Sequence, residues 1–141
     1  MKILVATDGS ENALRAVRYA VDLTARLKEP SVLILANAHH DAGLRGASQF
    51  VGKDVVKSYL DDLSQSELAA AVALVRDAHV VHEVRMLRGP AAQVLCEAAA
   101  TEGCDLIVLG SKGRTALKDL LIGSVAQQVA SLAQMPVTLV K

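Results

Sequence analysis

The sequence predicts a single α/β domain over residues 1–141, built on a doubly wound, five-stranded parallel sheet with helices on both faces, a Rossmann-like architecture. Three observations predict it. Five short apolar runs alternate with longer segments of helical periodicity, and strands joined by helices imply right-handed crossovers and parallel pairing. The first, second and fourth runs are almost continuously apolar, as strands buried on both faces must be. At 141 residues the chain is long enough for one packed core and short for two.

The first strand is Ile3–Ala6. Polar residues at Glu11, Arg15, Arg18, Asp22, Arg26 and Glu29 then step by three or four and mark the solvent face of a helix over Glu11–Glu29. Its opposite stripe, Ala13, Val17, Ala20, Val21 and Leu27, faces a sheet. Strand two is Val32–Ala38, followed by a loop, Asp41–Gly52, that reads either as a mobile cover for a pocket or as a disordered segment. A second helix over Lys53–Asp77 turns Val56, Leu60, Leu63, Ala70 and Leu74 inward. Strand three, Val80–Leu87, alternates apolar and charged residues and suits a sheet edge.

A third helix opens at Gly89-Pro90, with proline at the first helical position, where a missing N–H costs nothing. Strand four is Leu106–Leu109, and a fourth helix starts near Ser124, where Ser124-Val125-Ala126-Gln127 has capping-box spacing. Strand five, Val137–Val140, is apolar and terminal. As an edge it calls for a partner subunit to cover it, which predicts a homodimer. Pro30, Pro90 and Pro136 all fall at element boundaries.

Composition removes several classes of function. Lys plus Arg and Asp plus Glu each number 15, a formal charge of zero, whereas nucleic acid and anionic membranes are bound by basic surfaces. Tyr19, Phe50 and Tyr59 are the only aromatic residues, too few for base stacking. No apolar stretch approaches a membrane span or a signal sequence, so the expected setting is cytoplasmic. Cys96 and Cys104 belong to no metal-binding pattern and read as small buried hydrophobes in a reducing compartment. His39-His40 has no third ligand at suitable spacing and reads as a loop pair rather than a metal site.

Ligands of open parallel sheets sit beyond the carboxyl ends of the strands, at the switch in strand order. Strand one runs into Ala6-Thr7-Asp8-Gly9-Ser10, and strand four into Gly110-Ser111-Lys112-Gly113-Arg114-Thr115, with Gly123-Ser124 following. Gly110 and Gly113 permit tight turns and close approach of backbone N–H groups to an anion. Gly123 does so before the fourth helix, whose N-terminus favours phosphate. Two glycine turns spaced in this way suit the two ends of a polyphosphate, or are turn residues alone. Ser124 reads as a helix cap or a ligand, and Asp8 as a ligand or a turn residue before Gly9. Neither a Walker A loop nor a GxGxxG fingerprint is present.

Gly110-x2-Gly113-x9-Gly123-Ser124, after the strand Asp105–Leu109, resembles the Gly-2x-Gly-9x-Gly-Ser/Thr signature of ATP-binding universal stress proteins. The opening Ile3–Ser10 and the closing Met135-Pro136-Val137-Thr138-Leu139-Val140 resemble the family's first and last strands, so the likeness spans the chain. The resemblance implies strand order 3-2-1-4-5 and ATP at the carboxyl edge. It implies Ala6, Thr7 and Asp8 beside the nucleoside, with Asp8 toward the ribose or a magnesium-bridged phosphate, and Ala36 lining the adenine slot. It implies that Gly110, Ser111, Gly113, Gly123, Ser124 and Val125 carry ribose and phosphates. Lys112 and Arg114, in the variable part of the signature, read as phosphate-neutralising cations or as a solvated loop. Ala126 stands where relatives often have a hydroxyl, which removes one phosphate donor.

No paired acids, no Ser/His/Asp set and no cysteine beside a base are found in the sequence. The expectation is a nucleotide-binding stress or regulatory protein in which hydrolysis is slow or incidental. The alternative is a dimeric interaction module of the same fold that binds no nucleotide.

Overall fold

A computed structural model describes residues 1–114 and 121–141, the side chains of 43, 45 and 47 apart. The strands are β1 (Lys2–Ala6), β2 (Val32–His39), β3 (His82–Arg88), β4 (Leu106–Gly110) and β5 (Val137–Val140). The helices are α1 (Glu11–Arg26), α2 (Arg45–Val51), α3 (Lys53–Asp77), α4 (Ala91–Thr101) and α5 (Ser124–Leu132). The sheet has five strands in the order β3-β2-β1-β4-β5, with every neighbouring pair parallel. Fold class and strand order are those expected.

Because successive strand side chains point to opposite faces, β1 divides its apolar residues between two cores. Ile3 and Val5 pack with Leu33, Leu35 and Val108 beneath α1 and α3. Leu4 packs with Ile34, Ile107 and Leu109 beneath α4 and α5. Small residues let the helices approach: Ala16 and Ala20 of α1 and Ala71 of α3 are fully buried. Ser10 caps α1, its Oγ accepting from the Ala13 N–H at 3.2 Å, an arrangement that turns the chain sharply out of β1.

Several expectations need correction. α1 ends at Arg26, not Glu29, because Leu27 is already extended ahead of Pro30. The segment expected to be a loop holds a 3₁₀ turn, Asp41–Leu44, and α2, which Gly52 separates from α3 with a φ of 85°. The buried face of α3 is Leu60, Ser64, Glu67, Leu68, Ala71 and Val75, so Ala70 is exposed. The reason is that Ser64 and Glu67 are drawn inward by partners on other elements. β3 begins at His82, and as an edge strand it leaves Val84 and Met86 exposed. Pro90 occupies the cap position of α4, one residue earlier than expected. Gly123, not Ser124, caps α5, and no side chain bonds to that helix end.

Candidate functional site

The carboxyl ends of β1 and β4 lie side by side, with the N-terminus of α5 beside them. A cleft of about 250 Å³ opens there, near the roughly 300 Å³ floor of small-molecule pockets. Its inner wall is made of methyl groups: Ala6 from β1, Ala36 and Ala38 from β2, and Ala13 from α1. Ala91 and Leu95 of α4 and Leu109 of β4 close that end. The opposite end is backbone and hydroxyl: Gly113, Gly123, Ser124 and Val125, with Asp8 and Lys112 at the rim.

Eleven of the candidate site positions singled out in the sequence line this one cleft: Ala6, Thr7, Asp8, Ala36, Gly110, Lys112, Gly113, Gly123, Ser124, Val125 and Ala126. Thr7 is buried, and its backbone N–H donates to the Ala36 carbonyl at 2.9 Å, which joins the first turn to β2. The Asp8 carboxylate joins two turns. One oxygen accepts from the Ser10 N–H at 3.0 Å and the other from the Arg114 N–H at 3.2 Å. Two chain segments twelve positions apart also meet, as the Gly123 N–H donates to the Ser111 carbonyl at 2.6 Å. Ser124, Val125 and Ala126, the first turn of α5, line the cleft, and their helix end has no side-chain cap; the N–H groups of such an end carry the positive end of the helix dipole.

Ser111 and Arg114 are directed elsewhere. Ser111 is buried in the wall behind the cleft, its N–H donating to the Val140 carbonyl at 2.7 Å. The Arg114 guanidinium reaches away from the cleft to Glu67 of α3, 2.9 Å away. Position 115, also in the first glycine segment, lies outside the described residues.

Glu67 is the residue that sequence reasoning missed. Its side chain is 5% exposed. One carboxylate oxygen accepts from Asn37 Nδ2 at 2.8 Å and meets His39 Nε2 at 2.7 Å, while the other pairs with Arg114. His39 is therefore held on β2 by an acid, and the neighbouring His40 bonds through Nδ1 to the Ala42 N–H, so the two rings serve different ends. Among the described residues, no group of three His, Cys, Asp or Glu side chains is placed to hold a metal. Cys104 is buried and Cys96 half-buried, both free. Burial pushes both thiols above their ordinary range, which keeps them protonated at neutral pH.

Comparison with known proteins agrees with this geometry. Residues 1–141 match the universal stress protein family. The chain belongs to that family. Universal stress protein MJ0531 of Methanocaldococcus jannaschii is 29% identical over 141 residues, 99% of this chain and 81% of that protein. The solved structure of MJ0577, from the same organism, superposes with a TM-score of 0.87 at 26% identity, covering 99% of this chain and 94% of that one. A universal stress protein solved in complex with cAMP superposes with a TM-score of 0.69 at 27% identity, covering 100% of this chain and 96% of the other. Among the described residues of this universal stress protein, no helix is long and apolar enough to cross a membrane.

The glycines of the family signature carry unequal loads. A Cβ on Gly110 would lie 2.1 Å from Asn12 Oδ1 and 3.1 Å from the Asn12 backbone, so Gly110 makes room for α1 to pack on β4. A Cβ on Gly123 would find only ordinary contacts, the nearest at 3.4 Å. Gly110→Ala is therefore expected to destabilise the fold by about 1–3 kcal/mol in urea denaturation, the range for overpacked sites. Adding Asn12→Ala should return part of that loss by removing the Oδ1 clash, and an unchanged midpoint in Gly110→Ala would contradict the packing role.

Proposed function

We propose that this universal stress protein binds an adenine nucleotide, ATP in the first instance, and acts as a small regulatory protein rather than as an enzyme. The observation that carries the reading is the division of the cleft into a methyl-walled slot and a cradle of backbone N–H groups. A flat, apolar purine suits the first, and an anionic phosphate suits the second. The likeness to a family member solved with cAMP supports the same ligand class.

Binding without rapid chemistry follows from what surrounds the phosphates. The carboxylate at the rim, Asp8, already accepts backbone bonds on both oxygens, which leaves it poorly placed to activate a water. Were magnesium to arrive with the nucleotide, Asp8, the carboxylate among the described residues that line the cleft, would be the side chain to assist it. The free, protonated thiols suit a reducing, cytoplasmic setting.

Titration of nucleotide-stripped protein with ATP and magnesium in a calorimeter should give saturable heat near one site per chain. The expected affinity is micromolar, about −8 kcal/mol, with turnover well below ~1 s⁻¹. Gly123→Leu should weaken binding by about a hundredfold or more while leaving the circular dichroism spectrum unchanged. Normal binding by that variant would place the ligand elsewhere.

The proposal extends to a homodimer through β5. Its four residues are all partly exposed at the end of the sheet, and a second copy would continue the hydrogen-bonded ladder. Leu139 packs inward on the α4–α5 core, so Thr138 is the better probe. Thr138→Lys should shift the light-scattering mass toward monomer; an unshifted dimer would put the interface on another face.

A further inference from the structure

Arg114 stands in the glycine segment beside the cleft, yet its guanidinium is engaged by a buried acid on α3. Glu67 is itself rigidly placed, through Asn37 and His39 of β2. Asn37 also donates to the Thr7 carbonyl at 2.9 Å, so the same cluster touches the turn after β1.

The Arg114–Glu67 pair passes over Gly9. A Cβ at Gly9 would lie 3.0 Å from the Arg114 guanidinium and 3.1 Å from the Glu67 backbone, and the residue has a φ of 77°. At the backbone of Arg114, the N–H donates to the same Asp8 oxygen that lies 3.2 Å from a Cβ built on Gly113. A line of contacts therefore runs from α3, through the Arg114 side chain, to the turn that forms the phosphate end of the cleft.

We infer that Glu67 is a positioning residue for the phosphate end of the cleft: through Arg114 it fixes the Gly113–Arg114 turn against Asp8. This inference rests on the nucleotide reading for its ligand but not for the turn it orders. An exposed ion pair would contribute little. Here one partner is 5% exposed and the other 53%, so removing the arginine strips a buried carboxylate of its only full cation among the described residues. Arg114 thereby acts by holding the backbone, not by contacting phosphate. Its charge is neutralised before ligand arrives, and the phosphates are left to the amide groups of the two glycine turns and α5.

Arg114→Gln, Glu67→Gln and the double variant test this, with two readouts. The first is hydrogen exchange of the amide at position 114 in unliganded protein, corrected for its intrinsic rate. The second is calorimetric affinity for ATP and, separately, for adenosine. Each single variant should speed exchange about tenfold and weaken ATP about tenfold, the scale of one charge-assisted hydrogen bond. Adenosine affinity should not change, and the double variant should be no worse than either single one. Arg114→Lys, which keeps a cation near Glu67, should restore most of both effects, and it carries the test with Arg114→Gln if Glu67→Gln does not fold.

Equal losses for ATP and adenosine would overturn the inference in favour of general structural damage. Weaker ATP binding in Arg114→Gln with unchanged binding in Glu67→Gln would overturn it in favour of a direct phosphate contact. Wild-type protein that binds neither ligand would overturn the nucleotide reading, while exchange at position 114 would still decide whether Glu67 holds the turn.

Discussion

β1 and β4 pair side by side, yet the chain leaves β1 into α1 on one face of the sheet and returns from β4 into α5 on the other. Among the described residues, no helix then covers the gap above their carboxyl ends. That reversal is a property of the strand order alone, and the cleft, its lining and its access all follow from it. The two cores beneath the helices serve chiefly to hold this edge still. β1, buried on both faces and bonded on both sides, brings Ala6 to Asp8 to the rim with little freedom to move.

Small residues then shape the opening. Alanine at six positions around the cleft leaves room that leucine or valine would fill. Gly110 lets α1 approach β4, and Gly9 lets the turn after β1 pass beneath the Arg114–Glu67 pair. The signature glycines are thus not a uniform set of ligand contacts. One is a packing residue, one borders Asp8, and Gly123 brings the second turn back onto Ser111 at the start of α5.

Much of this was legible in the sequence. Apolar runs marked the strands because burial on both faces leaves no room for polar residues, and Gly110, Gly113 and Gly123, spaced as they are in the sequence, line one cleft. What was not legible depends on contacts between distant segments. Glu67 looks like a solvent residue of a long helix until Asn37, His39 and Arg114 are brought around it. Ala13, Ala38 and Ala91 come from separate elements, and no local pattern distinguishes them from other alanines. α2 is seven residues long and interrupted by glycine, too short for periodicity to reveal. Pro90 and Ser124 each differ from expectation by one position, because propensity marks the end of a helix without deciding which residue is its cap.

The central claim is that an adenine nucleotide occupies the cleft between the alanine wall and the start of α5. Amide chemical shifts followed through a titration with magnesium and ATP test it most directly. The account predicts saturable shifts concentrated at Gly113, Gly123, Ser124 and Val125, with smaller ones at Ala36 and Ala38 beside the base. Shifts absent at millimolar nucleotide, or confined to a different face such as α2 and the first turns of α3, would contradict it.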